Sequence, residues 1–215
     1  MPCAAAGSLA RPTAYGVGKR VIDLCGAVVL ALVFCPLMIA IALLLYLEGG
    51  PVIYRHRRIG CGGRVFDCLK FRTMIPNAEQ ILQDLLEQRP ELKAEWIRDY
   101  KLRDDPRVTS LGRFLRRTSL DELPQLWNVI RGDMSLVGPR PIVREELIRY
   151  GRNLPIYLSA KPGITGLWQV TGRNDTSYRR RVATDVYYLR KQNLFLDFYI
   201  LLKTTHVIVG RAGAY

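Results

Sequence analysis

Apolar positions along this chain form one dense block near the start, followed by short periodic runs. From Val21 to Leu47 the only formal charge is Asp23, and Val, Leu, Ile and Ala dominate. As one straight helix the block would be about 40 Å long, more than the roughly 20 residues needed to cross a bilayer. The run is too long for a signal peptide, and no small-residue cleavage pattern follows it. Pro36 lies near its middle, where a proline removes a backbone donor and clashes with the preceding turn. The halves, Val21 to Cys35 and Leu37 to Leu47, would span about 22 Å and 16 Å, each short of a hydrocarbon core of about 30 Å. Both flanks are basic: Arg11, Lys19 and Arg20 before, Arg55, Arg57 and Arg58 after. A crossing helix normally concentrates Lys and Arg at its cytoplasmic end. The pattern leaves two topologies open, a spanning helix kinked at Pro36 or a hairpin that enters and leaves by the same leaflet.

Beyond the block, Gly49, Gly50 and Pro51 mark its exit. Val52 to Ile59 and Val65 to Phe71 read as two strands of a hairpin around Gly60-Cys61-Gly62-Gly63. Ile81, Leu82, Leu85 and Leu86, then Leu92, Trp96 and Ile97, recur at helical spacing, and Pro90 divides the region into two helices. A helix is expected from Ser119 to just before Gly132, a rigid turn at Gly138 to Pro141, and a helix at Glu145 to Tyr150. Lys161 to Asp175 reads as a glycine-punctuated loop around a short strand. Two helices, Tyr178 to Gln192 and Leu196 to Val209, close the pattern. The last is apolar enough for a membrane interface but too interrupted to span, and a buried core helix fits it equally well.

Charge narrows the partners. With 32 Lys and Arg against 19 Asp and Glu, the net charge of +13 calls for an anion: nucleic acid, anionic lipid or a phosphorylated substrate. The five cysteines show no Cys-x-x-Cys spacing and there are two histidines, His56 and His206, which argues against a zinc site and a disulfide framework.

The richest stretch for chemistry is Arg116-Arg117-Thr118-Ser119-Leu120-Asp121-Glu122-Leu123-Pro124-Gln125. Ser119-x-x-Glu122 matches a helix capping box, with Pro124 tolerated in the first turn. Adjacent carboxylates on a helix point about 100° apart, so Asp121 and Glu122 suit two separate tasks. One could attack phosphorus as a nucleophile, and the other could hold Mg²⁺, which takes one or two carboxylates plus substrate phosphates. In Gly138-Pro139-Arg140-Pro141 the two prolines stiffen the chain around Arg140, whose guanidinium matches a phosphate; a plain turn with a solvated arginine is the alternative. Lys70 and Arg72 end the second strand, as ligand contacts or as a solvated basic edge. The run from Gly163 to Asn174 could shape a nucleotide pocket, with Arg173 reaching a phosphate, but it lacks a Walker or dinucleotide spacing. Trp168 within it reads as a core residue.

Together these stretches resemble the monotopic phosphoglycosyl transferases, the bacterial sugar transferase family. The blocks run in family order: Lys19-Arg20-Val21-Ile22-Asp23, the Pro36-broken apolar helix, Lys70-Phe71-Arg72-Thr73-Met74 and Ser119 to Leu126. They continue through Gly132 to Pro141, Lys161-Pro162-Gly163-Ile164-Thr165-Gly166, Gly172-Arg173-Asn174 and Asp185-Val186-Tyr187-Tyr188. The resemblance implies an α+β fold: a mostly helical single domain with a small β-hairpin, an N-terminal re-entrant membrane helix broken at Pro36, and interfacial amphipathic helices. It divides the chain into an N-terminal tail (1–18), the membrane helix-break-helix (19–48) and a catalytic domain on the cytoplasmic face (49–215).

The implied reaction has two steps. Asp121 would take the phosphosugar of a UDP-sugar, releasing UMP, and polyprenyl phosphate, as undecaprenyl phosphate, would then accept it. Glu122 would help to hold Mg²⁺, with Lys70, Arg72, Arg116, Arg140 and Arg173 around phosphate and nucleotide. The implied location is the cytoplasmic face of a bacterial inner membrane, in contact with anionic lipids, without nucleic acid, and with a homodimer left open. The helical insert from Ala78 to Pro106 and the Gly213-Ala214-Tyr215 ending resemble the hexose-1-phosphate transferases of exopolysaccharide and O-antigen pathways, pointing to UDP-galactose or UDP-glucose. Cys35 stands where small members would be expected to carry serine. The competing classes are a non-catalytic membrane adaptor with a basic lipid-binding face and a tethered nucleic-acid binder, which needs no paired acids.

Overall fold

The computed structural model describes residues 13–99, 102, 105–172 and 177–209. A helix, α1 (Thr13–Leu47), opens the fold and runs on through Pro36. It begins six residues before Lys19, within the stretch read as a tail. From Tyr15 to Leu47 it is long and apolar enough to cross a membrane.

Next come the hairpin strands β1 (Ile53–Ile59) and β2 (Val65–Phe71), antiparallel, with Tyr54 opposite Lys70, His56 opposite Cys68 and Arg58 opposite Phe66. The turn between them is a 3₁₀ element over Cys61–Gly63 in which Gly62 and Gly63 have φ of 69° and 79°, values glycine adopts without steric cost. The Pro90 division is observed: α2 (Ala78–Gln88) is followed by α3 (Pro90–Asp99). Then follow α4 (Ser110–Thr118), α5 (Gln125–Arg131), β3 (Ser135–Val137), a 3₁₀ stretch over Arg144–Asn153 and α6 (Leu154–Leu158). The loop expected around one short strand contains β4 (Gly163–Thr165) and also a short helix, α7 (Leu167–Thr171). Helices α8 (Tyr178–Lys191) and α9 (Leu194–Val209) match the two expected at the end. β3 and β4 pair in parallel, Ser135 with Gly163 and Val137 with Thr165, a contact no local pattern announces.

Both ends of α1 pack on the same body. Near its start, Arg20 donates to the carbonyls of Val129 (2.7 Å) and Ile130 (2.9 Å), closing the C-terminal end of α5. The lone charge of the apolar block, Asp23, is buried and accepts from Lys19 Nζ, Ser135 Oγ and the Leu136 N–H, each at 3.0 Å. Lys19 also lies 3.4 Å from Asp197 of α9, which accepts from Tyr188 (2.6 Å) and Tyr15 (3.0 Å). A buried carboxylate needs such partners to offset its desolvation.

Ala27 joins the main core with Phe66, Val129, Leu136 and Ile200. Further on, Ile41 and Leu45 are buried against Phe71 and Leu115. Residues 28–40 between them are all exposed or half-buried. On α9, Ile200 is fully buried while Phe195, Phe198 and Leu202 are exposed, so one face is core and the other is apolar surface.

Arg72 closes the other end of α1. Its guanidinium donates to the carbonyls of Leu45 (2.9 Å) and Pro51 (3.0 Å) and lies 3.7 Å from Glu48. The side chain is buried, which excludes the solvated basic edge. The chain turns there through Gly49 and Gly50, at φ of 78° and 85°. A Cβ on Gly50 would sit 2.6 Å from Arg72 Nη1.

Candidate active site

Asp121 and Glu122 lie in a 3₁₀ turn, Leu120–Glu122, between α4 and α5. The continuous helix expected from Ser119 is not formed. Ser119 is left-handed (φ 59°) and ends α4, its N–H bonded to Arg116 O at 3.3 Å. Nor is there a capping box, because the Ser119 side chain makes no cap bond and Glu122 turns to Lys70. The left-handed residue reverses the chain so that both acids face β2 instead of each satisfying a helix start.

One buried amide sets the distance between that turn and β2. Asn128, fully buried on α5, accepts from Leu69 N (3.0 Å) and donates to Asp67 O (2.8 Å), gripping the strand on either side of Cys68. Lys70, the next residue in register, then places Nζ 2.7 Å from Glu122 Oε1 and 3.5 Å from Asp121 Oδ2. Asp121 is buried, while the Glu122 side chain stays 32 % exposed.

The environment drives the two carboxylates apart. For Asp121, burial outweighs the opposing pull of Lys70, and the Glu122 charge adds to it, so its pKa is raised above the usual carboxylate range. For Glu122, burial acts upward too, but Lys70's charge and hydrogen bond, with Arg140 and Arg58, overcome it and hold the group below its ordinary value. Burial would discharge Lys70, yet Glu122 and Asp121 together raise its pKa and keep it cationic. Glu122 is therefore the acid held ionised, and Asp121 is the more basic one.

Arg116, half-buried at the end of α4, donates from Nε to Thr73 Oγ1 (2.9 Å), and its charge acts on Asp121. Arg140 is exposed on the turn after β3. Its carbonyl accepts from Tyr157 OH (3.0 Å), and the same phenol accepts from Ile142 N (3.2 Å), so Tyr157 pins both sides of Pro141. Trp168 is buried, as its core reading required, but its ring also carries Arg140 at 5.9 Å and Arg181 at 4.7 Å.

Lys70, Arg116, Asp121, Glu122 and Arg140 are thus brought into one electrostatic neighbourhood. Arg72 is committed to α1, and Arg173 lies outside the described residues. The residues that sequence reasoning passed over are Arg58, counted only as flanking charge, and His56, counted only in setting a zinc site aside. Their place opposite β2 on the Lys70 side could have been read from the hairpin's alternation.

Among the described residues no group of three or more His, Cys, Asp and Glu could enclose a metal. Mg²⁺ uses few protein carboxylates and completes its shell with phosphate and water. Glu122, ionised and a third exposed, is the hard oxygen donor suited to it.

The sequence profile described as bacterial sugar transferase matches residues 14–211. The chain belongs to this family. Among curated bacterial sugar transferases and their kin, it is 51 % identical over 197 residues to the undecaprenyl-phosphate galactose phosphotransferase of Salmonella typhimurium, covering 92 % of this chain and 41 % of that protein. It is 48 % identical over 201 residues to the exopolysaccharide production protein ExoY of Rhizobium meliloti, covering 93 % and 89 %. To the UDP-glucose:undecaprenyl-phosphate glucose-1-phosphate transferase of Caulobacter vibrioides it is 40 % identical over 211 residues, covering 94 % and 73 %. The chain therefore spans about two fifths of the length of some curated relatives and most of others.

Behind the site, Asp185 is buried on α8 and accepts from Tyr150 OH at 2.8 Å. Burial pushes its carboxyl up to about 7, against the lowering effects of Tyr150, Arg140 and Arg181. In the unfolded chain an aspartate ionises near pH 4, so above that pH the unfolded state has lost a proton that the folded state keeps. Stability from this group therefore falls as pH rises from about 4 to about 7 and then levels off. Asp185→Asn is expected to abolish that decline: the melting temperature of the variant minus that of the unmodified chain should rise with pH across this window. A difference flat in pH would contradict it.

Proposed function

We propose that this bacterial sugar transferase moves a sugar 1-phosphate from a UDP-sugar, UDP-galactose or UDP-glucose, to undecaprenyl phosphate, releasing UMP. The names of the Salmonella and Caulobacter relatives support this substrate pair, and ExoY supports a place in exopolysaccharide synthesis. The observation that carries the reading is the buried, basic Asp121 beside an ionised Glu122, with Lys70 within 3.5 Å of both.

In the first half-reaction an Asp121 oxygen bonds to the sugar-bearing phosphorus. The P–O bond to the nucleotide breaks, and its electron pair leaves on UMP. In the second, an oxygen of the lipid phosphate attacks the same phosphorus, and the aspartyl P–O bond breaks, returning its pair to Asp121. Lys70 keeps Asp121 oriented and charge-balanced, while Arg116 and Arg140 neutralise phosphate oxygens as negative charge accumulates. Glu122 would hold Mg²⁺ with the substrate phosphates, and the ion would supply electrostatic stabilisation of the phosphoryl oxygens.

The same reading places the chain on the cytoplasmic face of the inner membrane, with α1 re-entrant and bent at Pro36. The support is that Ala27 and Ile41 are both buried in one body while residues 28–40 face outward. Exposed Phe195, Phe198 and Leu202 on α9 suit the membrane interface.

The deciding assay is UMP release from a panel of UDP-sugars with Mg²⁺, with and without undecaprenyl phosphate. Acceptor-dependent release with a hexose donor is expected. No UMP from any donor would overturn the assignment. Cysteines placed at each end of α1 should label from the same side of sealed vesicles, and labelling from opposite sides would refute the hairpin.

A further inference from the structure

The strand β1 carries four basic or histidine side chains that the proposed reaction leaves unused. Directly opposed residues of an antiparallel pair share a face, and alternate residues along a strand face opposite ways. The register therefore puts His56 and Arg58 on the face of Lys70, and Arg55 and Arg57 on the other. Burial agrees, since Arg55 and Arg57 are exposed whereas His56 and Arg58 are half-buried.

Arg58 is held firmly. Its side chain is 14 % exposed, Nη1 donates to Pro141 O (3.2 Å), Nη2 lies 3.2 Å from His56 Nδ1, and Glu146 Oε2 is 3.7 Å away. Pro141 directly follows Arg140, so Arg58 is tied to the turn that carries Arg140, with Lys70 on the same sheet face as Arg58. Like charges so placed repel, and Arg140 acts on Arg58 in that sense. The acids near Arg58 are committed: Glu122 is bonded to Lys70, and Glu146 accepts from Val143 N (3.1 Å). His56 adds a neutral donor. Burial and the neighbouring cations pull its pKa to about 4, and with Nδ1 accepting from Arg58 its proton sits on Nε2. Half-buried Arg58 and His56, beside the turn that carries Arg140, offer guanidinium charge and a neutral N–H donor, which match a phosphate monoester.

We propose that Arg58 and His56, with Arg140, form a phosphate-monoester subsite on the Lys70 face of the hairpin, occupied first by the phosphate that departs as UMP and then by the phosphate of the incoming lipid. The subsite rests on Asp121 being the covalent acceptor. It gives the electron pair released when the nucleotide P–O bond breaks a cationic place to land, and it offers the attacking lipid oxygen the same line of approach to phosphorus.

The test uses the full chain in lipid nanodiscs, measuring the inhibition constant for UMP, the KM for undecaprenyl phosphate, and isotope exchange between UMP and UDP-sugar without acceptor. Losing a charged hydrogen-bond partner costs about tenfold in binding, so Arg58→Met should raise both constants by about that factor. Arg58→Lys should recover part of the loss. His56→Leu removes one neutral donor and should raise both about threefold while leaving the Arg58 bonds to Pro141 and Glu146 in place. Arg57→Met, on the other face, should change neither.

If Arg58→Met melts with the unmodified chain yet leaves both constants within twofold, or lowers kcat alone, Arg58 merely braces the turn and the subsite is refuted. A change in the UMP constant without one for the lipid phosphate refutes the shared subsite. Should Arg58→Met fail to fold, His56→Leu decides by the same two constants. Absence of exchange in the unmodified chain would instead bring down the covalent reading, and the subsite with it.

Discussion

Asparagine at position 121 is expected to lower sugar-phosphate transfer by about 10³-fold or more, the scale on which removal of a covalent nucleophile is felt. The amide is nearly isosteric with the carboxylate, so the turn at Leu120–Glu122 should persist and Lys70 should keep its 2.7 Å bond to Glu122. What disappears is the carboxylate beside Lys70 whose pKa burial raises. UMP exchange without acceptor should vanish along with turnover, and the phosphosugar adduct expected in the mass spectrum of the unmodified chain should be missing. Retention of the full rate in a folded Asp121→Asn chain would remove Asp121 from the mechanism.

The second large effect is structural. A methyl group at Gly112 would collide with the Thr73 carbonyl, a backbone group that cannot swing aside. That contact is where α4 docks on the exit of β2: Thr109 N donates to Thr73 O (3.1 Å), Gly112 N to Thr109 Oγ1 (2.9 Å), and Arg116 Nε to Thr73 Oγ1 (2.9 Å). Gly112→Ala must therefore push apart the helix that carries Arg116 and the strand that carries Lys70. Overpacking of this kind costs about 1–3 kcal/mol or more. For a chain of this size that corresponds to a fall in melting temperature of roughly 2–12 °C. Activity should fall further than stability alone requires, because both sides of the site move. An unchanged melting temperature would show that α4 is not seated as described.

Local pattern was informative where a residue's conformation depends on its chain neighbours. The hairpin, its glycine turn, the break at Pro90 and the two closing helices all follow from periodicity and from the backbone limits of glycine and proline. Ser119 marks where that reasoning fails. Its motif suits a helix N-terminus, yet it is left-handed because α4 ends there and the chain must turn its acids toward Lys70.

The sequence alone determined most of the helices and strands and the apolar block, and it put Asp121, Glu122, Lys70 and Arg140 forward as candidates for phosphate chemistry. Only the tertiary structure decided which charges meet. It sent Arg72 to the carbonyls ending α1, tied Arg58 to the Pro141 carbonyl, and paired β3 with β4 across 25 intervening residues. Periodicity reports which face of an element avoids water, whereas the partner of a buried charge depends on how distant segments pack, which no local spacing encodes.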